Sequence, residues 1–173
     1  MGLLQFDLSI HFQSIIQRMK ILIIRPVEIK DMTTITGATF PVPKPYMVRF
    51  FEEGKTVFIK PATVFKEIVP GMKLVFYQSH EDTGYIGEAK ITRIELNEDP
   101  FSFFDIFGDA IFLSRDEVQE YLDVQAKWKG GRVRKGPVKK KNWIALELAD
   151  IVQYDMPRKP ERFVPVGGQY LRE

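Results

Sequence analysis

Fifteen residues from Lys127 to Lys141, KWKGGRVRKGPVKKK, carry eight lysines or arginines and no acid, and the chain's only tryptophans, Trp128 and Trp143, sit at the two ends. Over the whole sequence 25 basic residues stand against 23 acidic ones; without these eight the balance is 17 to 23, and the formal charge goes from +2 to −6. The positive charge is therefore local, and a local excess on an acidic body makes a directional field for polyanions. Cations that follow phosphates and flat rings that stack on bases are the two components needed to bind single-stranded or irregular RNA. Arg132, Arg134, Lys135, Lys139, Lys140 and Lys141 are the candidate phosphate contacts, and Trp128 and Trp143 the candidate stacking residues. The competing reading is a solvated loop or edge hairpin whose lysines discourage strand addition, with the tryptophans in the core.

A second set of residues could do chemistry of another kind. Lys55, Lys60, Tyr77, Ser79 and His80 offer donors and acceptors able to read a base edge from a cleft, although each also has an ordinary role as a strand or turn residue. Catalysis is the alternative: a desolvated Lys55 as base or nucleophile, Thr56 as attacking hydroxyl and Glu88 as proton carrier. Adjacent strand residues point to opposite faces, which counts against a Lys55–Thr56 partnership, so no catalytic residue is assigned. A protein-interaction module is the third reading.

Composition narrows the classes. The chain has no cysteine, so disulfides, thiol catalysis and thiolate metal sites are excluded, and a reducing cytoplasm is the natural setting. His11 and His80 are too few and too far apart to suggest a zinc site. The longest apolar run, Ile21 to Ile24, falls far short of the roughly 20 residues of a membrane span. No secretory signal pattern is present. At 173 residues, with 45% apolar content and fourteen phenylalanines, the chain can build one domain with a substantial core. No cofactor or metal is expected, and the oligomeric state is open.

The elements that must position these residues follow from period and punctuation. Residues 1–32 show neither a sustained helical nor a sustained strand period, and are expected to be an extension outside a domain spanning 33–173; an extra packed element is the alternative. After Pro41, Pro43 and Pro45, the residues Tyr46, Met47, Phe50 and Phe51 predict a short helix stopped at Gly54. Lys55 to Lys60 reads as a strand, Ala62 to Ile68 as a helical turn, and Met72 to Ser79 as a buried strand. HEDTG forms a hairpin loop into a long strand from Tyr85 to Leu96, whose apolar parity changes between Ile91 and Ile94. A bulge at Thr92 and Arg93 would keep both sets inward, and bulges bend strands as closing barrels requires.

Phe101, Phe104 and Phe107 predict a core-facing helix ended by Gly108. Ser114 and Glu117 form a capping box for a helix whose acids Asp116, Glu117, Glu120 and Asp123 read as a solvated face. In the strand 142–149, Ile144, Leu146 and Leu148 point inward, so Trp143 is expected to face away from the main core. The apolar residues of the tail, Phe163 to Leu171, predict a segment wrapped along the barrel and edging its cleft.

This order of parts resembles the ASCH domain of the PUA-like superfamily. The helix ending at Gly54, KTVFIK, PGMKLVFYQS, the hairpin and YIGEAKITRI carry the resemblance. FPVPK, GKTVF, FYQSHEDTG, IFLS and FVPVGGQYL are similar to an archaeal family of PUA-like proteins over about residues 33–173. It implies an α+β fold, a PUA-like mixed β-barrel of about five to six strands with flanking short helices. It also implies RNA as partner, transfer or ribosomal, or a modified nucleotide in a cleft, with no cofactor. Some ASCH proteins resemble enzymes, among them an amidohydrolase of acetylated cytidine and a ribonuclease. Lys55 and Thr56 match the start of the amidohydrolase motif, but its second threonine position is Phe58 here, which removes the support for carrying over catalysis. GKT also ends a phosphate-binding loop, but the glycine that loop needs five residues before Gly54 is Arg49.

Overall fold

The computed structural model describes residues 34–62, 66–80, 82–130 and 142–173, with side chains in the last helix described as far as Lys127. The expectation for residues 1–32 lies outside them. The elements are β1 (Ile35–Pro43), α1 (Lys44–Phe51), β2 (Val57–Pro61), β3 (Lys73–Ser79), β4 (Gly84–Asn97), α2 (Ser102–Phe107) with a 3-10 turn (Gly108–Ala110), α3 (Arg115–Gly130), β5 (Trp143–Arg158) and β6 (Gln169–Arg172). Six strands form one mixed sheet in the order β2-β5-β4-β3-β1-β6, curled into a half-barrel, with β1 and β3 the parallel pair. The fold is α+β, as the sequence implied.

Curling follows from irregular registers. The β4–β5 ladder slips between Ile91 and Arg93, where the parity of the sequence required it, and again at Tyr85/Gly87 and Glu88/Lys90. Each extra residue bends its strand and increases the local twist. The slip brings Ile94 against the core, but Leu96 remains 59% exposed. The result is that β1 and β2, far apart in strand order, face each other: the rings of Phe40 and Phe58 stack at 5.4 Å across the interior. Phe50 of α1 closes the cluster, 5.0 Å from Phe76 and 5.1 Å from Phe112.

Helix α1 sits where the sequence put it, and Gly54 adopts a φ of 69° beyond its end. It can dock closely on β4 because position 87 is glycine: a Cβ there would lie 2.5 Å from the Val152 carbonyl and 2.7 Å from the Phe51 ring. α2 is shorter and phased differently from its expectation. Phe103 is the fully buried residue, whereas Phe101, Phe104 and Phe107 are half-buried around the core. The turn expected at Ala62 to Ile68 falls partly outside the described residues. β6 lies antiparallel on β1, so the tail does wrap along the sheet.

Candidate functional site

Two clefts flank the N-terminal end of α3. The larger, about 500 Å³, opens between β1, β2 and α3 and is lined by Phe40, Tyr46, Phe58, Lys60, Tyr121 and Trp143 among others. Its floor is buried aromatic core, with Phe40, Phe58, Phe112 and Trp143 all 5% exposed or less. Its rim is different: Tyr121 and Val124 of α3 and Val166 of the tail are exposed. Glu117 and Glu120 line the α3 side and Lys60 the β2 side. An apolar floor with a few convergent polar groups is the usual character of a ligand site.

Lys60 stands at the open seam of the half-barrel. From edge strand β2 its ammonium donates to the Gly167 carbonyl at 2.9 Å, just before β6 at the opposite edge, and lies 3.9 Å from the centre of the Phe40 ring. Burial pulls its pKa down from 10.5 to about 8. Gly168, at a φ of 85°, packs so tightly on the Phe40 ring and the Thr39 carbonyl that no Cβ would fit.

The second cleft, about 450 Å³, is lined by Arg49, Lys55, Asp109, Arg115 and Glu117 among others. Between the two clefts runs the contact that fixes α3. The Ser114 amide donates to the Glu117 carboxylate at 2.8 Å and the Glu117 amide to the Ser114 hydroxyl at 3.2 Å, which completes the capping box read from the sequence. The same carboxylate takes two bonds from Arg49, 2.7 and 2.8 Å, and Arg49 also donates to the Phe112 carbonyl at 2.7 Å. Arg49 holds Glu117 down to a pKa of about 2. Glu117 is thus not part of a solvated face; it precedes the buried Val118 and turns its carboxylate toward α1.

The sequence-derived residues do not gather in one place. Lys60 lines the larger cleft and Lys55 the smaller, where its ammonium donates to the Asp109 carbonyl at 2.6 Å. Tyr77, Ser79 and His80 line neither cleft: Tyr77 packs edge-on against Tyr85, and His80 turns the hairpin at a φ of 72°. Glu88 also lines neither; it accepts from the Tyr154 hydroxyl at 2.9 Å and from Lys73 at 3.1 Å, and these bonds lower its pKa. The Thr56 amide and carbonyl are held by Ala110 and Leu148.

Trp143 corrects an expectation. It is 4% exposed, inside the core cluster, with its ring edge-on to Tyr121 at 5.4 Å. The strand begins at this residue, and α3 folds over its ring, so the outward face of β5 is covered there. Trp128 lies in the last turn of α3 with its side chain outside the described residues, and Arg132, Arg134, Lys135, Lys139, Lys140 and Lys141 lie outside them as well. The cleft residues that sequence reasoning missed are Phe40, Tyr46, Glu120 and Tyr121. Tyr121 carried a signal, since a tyrosine on the apolar face of a helix leaves its hydroxyl end seeking water.

The curled half-barrel with its flanking helices has a fold similar to that of an ASCH protein. The ASCH protein of Zymomonas mobilis superposes with a TM-score of 0.60 at 15% identity, covering 80% of this chain and 89% of that one. A serine-to-alanine variant of that protein gives 0.63 at 15% identity, covering 82% and 92%. Residues 35–173 match the family described as domain of unknown function DUF365, and the chain belongs to it. Uncharacterized protein MJECS03 of Methanocaldococcus jannaschii is 38% identical over 103 residues, 59% of this chain and 91% of that protein. Among the described residues no helix is long and apolar enough to cross a membrane.

Proposed function

We propose that this protein binds RNA, with the basic stretch on phosphates and an unpaired base or modified nucleotide in the larger cleft. One observation carries the reading: the described residues on either side of the basic stretch, Val124 on α3 and Trp143 at the start of β5, both line that cleft. The stretch that carries eight cations is thus bounded in the chain by residues that line an aromatic-floored cleft. Phosphate contacts give affinity and position without sequence choice. Choice falls to the cleft, where the half-exposed Tyr121 ring offers a stacking face, Lys60 a donor and Glu120 an acceptor. The supported stacking residue is Tyr121 rather than the enclosed Trp143. Lys55, Thr56 and Glu88 have separate partners and separate surroundings, and the binding reading asks no bond-breaking of them. Titration of single-stranded RNA at several salt concentrations, with variants of the basic stretch and of Tyr121, tests both halves of the reading.

A further inference from the structure

We propose that the larger cleft selects guanine, with Glu120 on its Watson–Crick edge and Lys60 on its O6/N7 edge; the inference rests on the reading of this cleft as a base site. Glu117, Glu120, Tyr121 and Val124 are the residues that α3 contributes to the wall, and their spacing sets them on one face of the helix. Glu117 is engaged by Arg49. Glu120, one turn further on, has no hydrogen-bond or ion-pair partner among the described residues. An unpaired carboxylate thus lines the cleft beside the half-exposed Tyr121 ring. On the β2 side stands the Lys60 ammonium, placed at the seam by the Gly167 carbonyl and the Phe40 ring.

The two walls are of opposite kind. A carboxylate only accepts hydrogen bonds, through two oxygens, and an ammonium only donates them. Guanine carries two adjacent donors, N1–H and the N2 amine, which match the two oxygens of a carboxylate side by side. Its two adjacent acceptors, O6 and N7, are the pair that lysine reads. The two edges meet at O6, so one ring stacked on Tyr121 can turn an edge to each wall. The other bases fit less well. Adenine and cytosine set a ring acceptor next to their single amine, and uracil sets carbonyls on both sides of N3–H, so each brings an acceptor against a carboxylate oxygen. That pairing forfeits one bond and opposes two acceptors. The basic stretch cannot make this choice, because phosphate contacts are the same for every base.

Fluorescence anisotropy of the full chain with short single strands of uridine, carrying one central guanosine, inosine, 7-deazaguanosine or adenosine, tests the assignment atom by atom. Inosine lacks the N2 amine and 7-deazaguanosine lacks N7. The guanosine strand is expected to bind about tenfold more tightly than the adenosine strand, the usual scale of one good bidentate base contact, with the other two strands between them. In Glu120→Ala the guanosine and inosine strands should bind alike, and in Lys60→Met the guanosine and 7-deazaguanosine strands should. Both changes alter net charge, so the ratio between strands is the readout. Glu120 is exposed on a helix, and circular dichroism checks that each variant is folded. Equal affinity for all strands, or a preference for guanosine over inosine that survives Glu120→Ala, would overturn guanine selection and leave RNA binding standing. Failure of every strand to bind at low salt would overturn both.

Discussion

The Arg49 guanidinium and the Glu117 carboxylate meet fork to fork, at 2.7 and 2.8 Å, and so join the last turn of α1 to the first turn of α3. The pair stands between the two clefts and sets the angle at which α3 leaves the half-barrel toward the basic stretch. A bidentate pair of this kind fixes geometry as well as energy.

Its contribution to stability has a definite pH window. The folded pKa of Glu117, about 2, lies below its ordinary 4.5, so the stabilisation is fully present above 4.5 and is lost as pH falls toward 2. The shift corresponds to about 3 kcal/mol at most, with both side chains a quarter exposed. Glu117→Gln is expected to lower the unfolding free energy by about 2 kcal/mol at pH 7, with the gap to wild type closing as pH falls toward 2. Urea titrations across that range measure it, and a gap independent of pH would contradict the pairing.

Ser114→Ala removes one half of the capping box and should cost about 1 kcal/mol. Part of that loss should fade as pH falls toward 2, because the Ser114 side chain is, after Arg49, among the groups that lower the Glu117 pKa, and the same urea titrations read it.

Gly87→Ala is expected to destabilise by about 1–3 kcal/mol, because its Cβ meets a carbonyl at 2.5 Å and the Phe51 ring at 2.7 Å. Phe51→Leu in the same chain should recover only the part due to the ring. Thermal unfolding of the single and double variants separates the two.

Much of the frame was legible locally. The capping box is a four-residue pattern, and the bulge at Thr92–Arg93 declares itself because Ile91 and Ile94 cannot both face inward on a regular strand. The cleft was not legible. Phe40, Lys60 and Tyr121 come from three elements that meet only because the sheet curls, and no period within one element reports that. Tyr77, Ser79 and His80 are neighbours of each other on β3 and its turn, and proximity in sequence suggested a site that the topology does not assemble. The error at Trp143 has the same origin, since strand parity counts one sheet face and cannot see the helix laid over the other. Phe103 was missed because six residues of α2 are too few for a helical period to fix its phase.

Lys60 gives the cleft a pH signature. With its pKa near 8, the ammonium is present below that pH and lost above it, so its share of RNA affinity should fall as pH rises through about 8. Lys60→Arg keeps its charge and should bind without that fall. For stability, the folded pKa lies below the ordinary 10.5, so at this group stability rises with pH between 8 and 10.5.

Tyr121→Ala should weaken single-stranded RNA binding by about tenfold, the usual scale of one lost stacking contact, without changing the salt dependence. Fluorescence anisotropy at two salt concentrations reads both quantities.

The central claim is that the basic stretch holds phosphates beside the cleft. Its most direct measurement is the slope of log affinity against log salt for single-stranded RNA, in the wild type and in Lys139→Ala/Lys140→Ala/Lys141→Ala. Each phosphate contact contributes about −0.7 on single strands, so the triple variant should lose about two units of slope. An unchanged slope, or no binding by the wild type at low salt, would contradict the account.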